Sequence, residues 1–499
     1  MEGRNKIVLQ FGGKSMKKLK LHWLIYIGVF VLLSILFGIY HQKLWISSDT
    51  TTTLPLAIDW LQGNIFLKGW VMGSNNFFLT EIVIYAIGKA FGFSNLTLLY
   101  FIPSIAWSLL FLGTIVLIVA PWAAYTLLNA NSHNNLYAFL IIYLLILNLY
   151  IKKDKIFYLI IATFLAGFLL FSEGVTTMVL IVPIACMCIV QILKKNKIFY
   201  KILLSVAVSY IMGKLIFLIF HLMGGMETVG IPLGITHPNE LISRCISWIN
   251  QFATFFGLGN FYESAWGIKK VYATILMVLF VVAIIYYAVQ FWKLSWKKQS
   301  LLFIVCINIA ACIFTKVACT YRYVVVGYYF GFVFVALFVI ETIGRISKKT
   351  VRFCTMMFVM VFFSIFACTK ISDALHDGKA NGDFADMAKI IKENQLGDGY
   401  GDYWCASSIS FFTDYQNQIL PVYIHDDKGL MPYSELIRKD WYDEKDMHYI
   451  ISYVDVSRST FIDEDIMRQL LGDPNQVYEA GPYILYYYNE DLSNYCVKE

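Results

Sequence analysis

Ten apolar runs near the length of a bilayer crossing fill most of the first 370 residues: 21–41, 97–120, 135–151, 156–172, 175–193, 200–223, 271–292, 301–319, 321–343 and 351–369. In hydrocarbon each backbone N–H and C=O must find its partner within the protein, so a chain built this way folds as a bundle of α-helices. Composition agrees. Of 499 residues 58% are hydrophobic and 15% charged, with a mean hydropathy of +0.62; soluble domains carry roughly 25% charged residues. The first run follows Lys14, Lys17, Lys18 and Lys20 and is long enough to span, so it reads as a crossing and not as a cleaved leader.

Charge supplies the topology. Basic clusters at Lys14–Lys20, Lys152–Lys155, Lys194–Lys197, Lys293–Lys298 and Arg345–Arg352 belong in the cytoplasm. They share one side only if the shorter run Phe77–Phe93, which holds Glu81 and Lys89, also crosses, or if another span has been miscounted. Crossing there gives 11 spans; the run's length and charges suit a helix in the interface as well. The expected layout is a cytoplasmic basic N-terminus (1–20) and a transmembrane domain (21–369). Its outer loops are 42–76 and 224–270, and an extracytoplasmic tail (370–499) follows. The cell membrane is the expected location.

The net charge of +6 joins two opposite parts. Residues 371–499 hold 24 acids against 10 bases, and residues 1–370 hold 10 acids against 30 bases. Because the bases sit in short clusters between apolar runs, they serve topology, and a nucleic-acid partner is excluded. Eight of the ten cysteines lie in or beside apolar segments, where Cys acts as a small hydrophobe. Cys405 and Cys496 lie in the tail, their pairing left open.

Among the ten acids of the membrane part, Asp49, Asp59, Glu81, Glu173, Glu227, Glu240 and Glu263 fall on the outer side or at its boundary. Insertion rules impose no such bias on acids, so the outer face is the expected working face. Asp49, in SSDTT just past the first run, is the foremost candidate: a carboxylate beside the hydrocarbon needs a partner or a task. SDTT also reads as a helix start. Glu81 lies in an apolar run, Glu173 in the short turn FSEG, and Asp59 in AIDWLQGN is either structural or a contact for a substrate hydroxyl. Lys214, Lys316 and Arg322 are cations within or at the ends of spans, suited to an anionic headgroup, although Arg322 could simply anchor a span end. His221 and His237 are lone histidines without metal-ligand spacing.

From residue 370 the pattern changes. A helix is expected over Asp383–Asn394, strands at Gly401–Trp404, Ile419–Ile424, His448–Val454 and Tyr483–Tyr488, and a helix near Asp463–Leu471. This reads as one small α/β domain. It carries no Gly-rich phosphate loop, paired metal-ligand motif or nucleophile elbow.

An Asp just past the first span, a long first outer loop and the segment NNFFLTEIVIYAIGKAFGFSNLTLLYFIPSI resemble the GT-C superfamily, the polytopic glycosyltransferases that use polyprenyl-phosphate sugars, in their bacterial form. The likeness includes a short hydrophobic helix (Phe77–Ala90), an FG turn (Phe91–Gly92) and a long span (Thr97–Ala120). It is clearest over residues 20–180. It implies a catalytic acid at Asp49 and a second acidic position at Glu173. It also implies a polyprenyl-phosphate sugar donor in the membrane lipid, and an extracytoplasmic glycan, lipid or protein acceptor. The implied reaction is hexosyl or pentosyl transfer with inversion. A divalent metal ion stays open as a cofactor, because SSDTT lacks an Asp-Glu pair and FSEG lacks a DxD-like pair.

The chemistry is coherent without the family. Transfer from a lipid phosphate needs one base for the acceptor hydroxyl and cations for the leaving phosphate, whereas a glycosidase needs two matched carboxylates. Glu81, Glu173, Arg322, Lys316, Lys214 and Asp59 are the expected substrate-binding residues beside Asp49. The alternative is a transporter or flippase of a lipid-linked glycan, which predicts internal repeats and broken mid-membrane helices that this sequence lacks.

Overall fold

The computed structural model describes residues 14–42, 46, 48–73, 75–118, 133–229, 234–254, 261, 267–317, 319, 321–358, 361, 381–425, 429–443, 446–453 and 462–497. Helices follow the apolar runs. After α1 (Lys14–His41) the first long loop holds α2 (Ser48–Thr51) and α3 (Thr53–Leu61), and a π-helical turn (Phe78–Ile82) leads into α4 (Val83–Ala90). Next come α5 (Asn95–Ile118), α6 (Asn134–Lys153), α7 (Ile156–Ser172), α8 (Val182–Leu193) and α9 (Ile198–Leu222). The long loop after α9 holds α10 (Leu241–Thr254), before α11 (Ile268–Val289), α12 (Trp296–Phe314), α13 (Tyr321–Gly344) and α14 over 349–358. Among the described residues five helices are long and apolar enough to cross a membrane: α6, α9, α11, α12 and α13. Described parts of α1, α5, α7 and α8 are apolar but shorter.

The run 77–93 forms the π-turn and α4, Phe78–Ala90, which at ~1.5 Å per residue reaches only ~20 Å. A hydrocarbon core is roughly 30 Å thick, so this segment is short for a crossing. The span count of 11 rested on its crossing. The next connection, 119–132, lies outside the described residues.

α7 and α9 pack through small residues. A Cβ on Gly213 would stand 2.8 Å from the Gly167 carbonyl oxygen. Ser209 Oγ donates to Thr163 O at 3.0 Å, and the Thr163 and Ser205 hydroxyls meet at 2.6 Å. Backbones brought this close gain dispersion and interhelical hydrogen bonds, the forces left where both helix and lipid are apolar. The other face of α9 exposes Leu204, Ile211, Leu215 and Leu218, a surface suited to lipid and not to water.

Strand β1 (Trp70–Met72) of the first loop runs parallel to β2 (Glu227–Thr228) of the long loop. In the tail, α15 (Gly382–Glu393) precedes β3 (Asp398–Asp402), α16 (Tyr403–Phe412), β4 (Ile419–His425), β5 (Gly429–Pro432) and β6 (Ile437–Arg438). β7 (Met447–Tyr453), α17 (Glu464–Leu471), β8 (Gln476–Ala480) and β9 (Tyr483–Tyr487) complete it. Six strands form one sheet in the order β5-β4-β3-β7-β9-β8, with β3 parallel to both β4 and β7. The seventh, β6, leaves that sheet and pairs antiparallel with β1. First loop and tail also share one apolar core: Leu54, Leu56 and Trp70 cluster with Phe384, Ile409 and Tyr449.

One expected strand is corrected. GYGDYW is extended only to Asp402, whose carboxylate accepts the Trp404 N–H at 3.0 Å and caps α16. Aromatic residues at the head of a buried helix imitate strand composition. Cys405 and Cys496 do not pair with each other: Cys405 lies in the shared core and Cys496 in a separate cluster.

Candidate functional site

Asp49 sits half-buried in α2, which α16 grips from the tail side. Tyr403 donates its hydroxyl proton to Asp49 Oδ1, Ser48 Oγ donates to Tyr403 O, and Thr52 Oγ1 donates to Ser407 Oγ at 3.1 Å. Tyr415 Oη adds a bond to Thr51 O at 2.9 Å. Tyr403 itself stacks on Tyr433, with ring centroids 4.1 Å apart. The carboxylate is thus oriented by a phenol that is locked in turn by a second aromatic ring. Glu435 lies within electrostatic reach, and burial followed by the Asp49 charge raises its carboxyl above the usual range. Burial, then Glu435 and Asp49, pushes the Tyr433 phenol up to about 12.

A second acid arrives from the π-helical turn. Residues 75–80 are stapled to the end of α7 and the head of α6. Asn76 and Phe77 both donate their N–H to Ser172 O at 3.1 Å, and Leu79 N–H binds Ser172 Oγ at 2.8 Å. Asn75 Oδ1 accepts the Gly174 N–H at 2.9 Å, and Asn135 Nδ2 holds Thr80 O at 2.6 Å. This brings Glu81 beside Glu173. Burial pushes the Glu81 carboxyl up to about 8, the Glu173 charge adds to it, a hydrogen bond with Thr53 opposes it, and Asp49 contributes least. Glu81 therefore keeps its proton at neutral pH.

Glu173 follows the last residue of α7 and is wholly buried. Its Oε2 meets His133 Nδ1, while Oε1 has no hydrogen-bond partner among the described residues. His133, just before α6, is 2% exposed and sits between the rings of Phe77 (5.6 Å) and Tyr323 (5.5 Å). Phe77 (φ 50°) and His133 (φ 64°) both adopt left-handed backbone without being glycine. Each such conformation costs on the order of 1–3 kcal/mol, and such strain concentrates at functional sites. An orphaned buried carboxylate oxygen beside two strained residues marks this corner as the candidate site.

The other expected residues divide. Asp59 is already engaged: Oδ2 accepts from Trp70 Nε1 at 2.8 Å and Asn64 Nδ2 at 2.7 Å, and Oδ1 pairs with Arg438 Nη1 at 3.1 Å. These contacts tie the first loop to β6. Lys214 is exposed on α9, its ammonium 5.8 Å from the Tyr210 ring centre, and Lys316 is exposed, its backbone N–H bound to Gly234 O at 2.8 Å. Neither lysine is shown in contact with the acids. Arg322 lies in the first turn of α13, directly before the Tyr323 that packs on His133, while its side chain lies outside the described residues. His221 lines a cavity of about 350 Å³ with Asn76, Phe171, Phe220 and Glu227. Among the described residues no group of three or more His, Cys, Asp or Glu side chains is placed to hold a metal ion.

Sequence reading missed His133, Tyr403 and Glu435. His133 is a lone histidine before an apolar run, and Glu435 is one of 24 tail acids, so neither carries a signal of its own. Tyr403 stood out only as one aromatic in GYGDYW. No protein-family model matches this chain, and no curated protein matches it.

Proposed function

We propose that this chain is a membrane glycosyltransferase of GT-C type. It moves a sugar from a polyprenyl-phosphate donor to an extracytoplasmic glycan, lipid or protein. The observation that carries this reading is the convergence of Asp49, Glu81 and the Glu173–His133 pair on one corner, roofed by Tyr403 of the tail. In the proposed reaction the acceptor hydroxyl oxygen attacks the anomeric carbon, Asp49 takes the hydroxyl proton, and the anomeric C–O bond breaks with its electron pair leaving on the lipid phosphate. Protonated Glu81 adds no negative charge near that phosphate and offers an O–H donor to a sugar or phosphate oxygen. Arg322, at the head of α13, is the proposed phosphate clamp. The finer topology belongs to the same reading: basic clusters inside, tail outside, and donor in the outer leaflet.

The test is transfer in nanodiscs holding the full chain and a panel of undecaprenyl-phosphate hexoses and pentoses, with membrane-derived glycans as acceptors. The reading expects free undecaprenyl phosphate to appear with sugar on an acceptor. Movement of a fluorescent lipid-linked glycan across the bilayer with no bond cleaved would establish the flippase alternative instead.

A further inference from the structure

Beyond the acid corner, the seam between first loop and tail encloses a second cavity, of about 300 Å³. Small-molecule sites run from roughly 300 to 1,000 Å³, so this one suits one or two ring units and not a lipid chain. Its walls include Asp59, Gln62 and Trp70 from the first loop and Gln418, Arg438 and Trp441 from the tail. Trp441 is half-buried, held edge-to-face against Trp70 at 4.9 Å, and Trp70 is fixed in turn by its bond to Asp59. An indole held this rigidly is a ready platform for the C–H face of a sugar ring.

The polar groups select among ligands. Arg438 pairs with Asp59 at 3.1 Å and with Asp440 at 2.8 Å, two carboxylates on one guanidinium. That balance disfavours phosphate or any other anion, and the engaged Asp59 leaves little to draw a cation. The carboxamide of Gln62 offers donors and an acceptor, the pairing that vicinal hydroxyls require. The cavity also adjoins the acid corner: Ser407 and Tyr415 line it, and they bond Thr52 and Thr51, which lie two to three residues beyond Asp49. Pro55 and Asp59 are six and ten residues past Asp49, or ~9–15 Å along a helical path.

We infer that this seam cavity binds a neutral saccharide, the inner part of a glycan acceptor whose terminal hydroxyl reaches Asp49. The acceptor role rests on the transferase reading; the saccharide site itself does not. The probe is saturation-transfer NMR on the full chain in nanodiscs. The ligands are neutral disaccharides of glucose, galactose, mannose and N-acetylglucosamine, with glycerol phosphate as the anionic control. At least one disaccharide is expected to receive saturation and glycerol phosphate none. Trp441→Ala and Gln62→Ala should each weaken that binding at least tenfold at an unchanged melting temperature, while Asp49→Asn leaves it intact. Gln62→Ala serves as the second variant should Trp441→Ala fail to fold. No saccharide binding, binding indifferent to both variants, or preference for the phosphate overturns the site. If binding is absent while transfer depends on Asp49, the seam proposal falls and the catalytic reading stands. Binding without transfer does the reverse.

Discussion

Glu173 lies within electrostatic reach of Glu81, and the two carboxyls are held differently. Glu173 meets His133 Nδ1 through Oε2, whereas Glu81 holds its proton, its carboxyl raised to about 8. A raised carboxyl has a fixed sign in stability. Below the unfolded value near 4.5 both states are protonated, between 4.5 and about 8 only the unfolded state ionises, and above 8 both do. Wild-type stability therefore falls as pH rises from 4.5 to 8. Glu81→Gln, which mimics the protonated side chain, should gain on wild type across that window and hold a constant lead above it, as melting curves at successive pH values would read. A lead that shrinks with pH would contradict the assignment. His133→Ala should cost about 1–3 kcal/mol, because it removes the partner of a fully buried carboxyl group, and thermal unfolding of the purified variant measures this. Asp49, Glu81 and Glu173 were legible because acids on one face of an apolar chain stand out. Their partners were not, since His133, Tyr403 and Glu435 acquire meaning only when residues tens to hundreds apart in sequence meet.

Helices show the same division. Apolar runs and basic clusters located nearly every span-like helix, since burial of backbone polar groups in lipid leaves no other solution. Pairing was not legible. The α7–α9 contact depends on Gly167 and Gly213, which the sequence presents as two glycines among 32. With the Gly167 carbonyl oxygen 2.8 Å from any new Cβ, Gly213→Val forces the helices apart. That variant should lose about 1–3 kcal/mol, the usual cost of overpacking, and show a lower detergent melting temperature than a lipid-facing control, Leu215→Val. Equal melting temperatures would refute this packing account. In the tail, strand composition marked β4, β7 and β9, while the two-residue β6 left no period to detect.

At the scale of the whole molecule, the tail is part of the site. β6 completes a sheet with the two outer loops, Arg438 holds Asp59, and Tyr403 orients Asp49, so the acid corner is assembled from residues more than 350 apart. Sequence alone placed the tail outside as a separate α/β domain and offered no sign that it covers Asp49. The central claim is that Asp49 is the base for sugar transfer at this corner. It is tested most directly by comparing extracytoplasmic glycans from cells carrying wild-type chain and Asp49→Asn at equal membrane abundance. The account predicts a loss of the glycan product of roughly 10²–10⁴-fold, the usual contribution of a positioned base. Unchanged glycans, with the variant folded and present in the membrane, would contradict it.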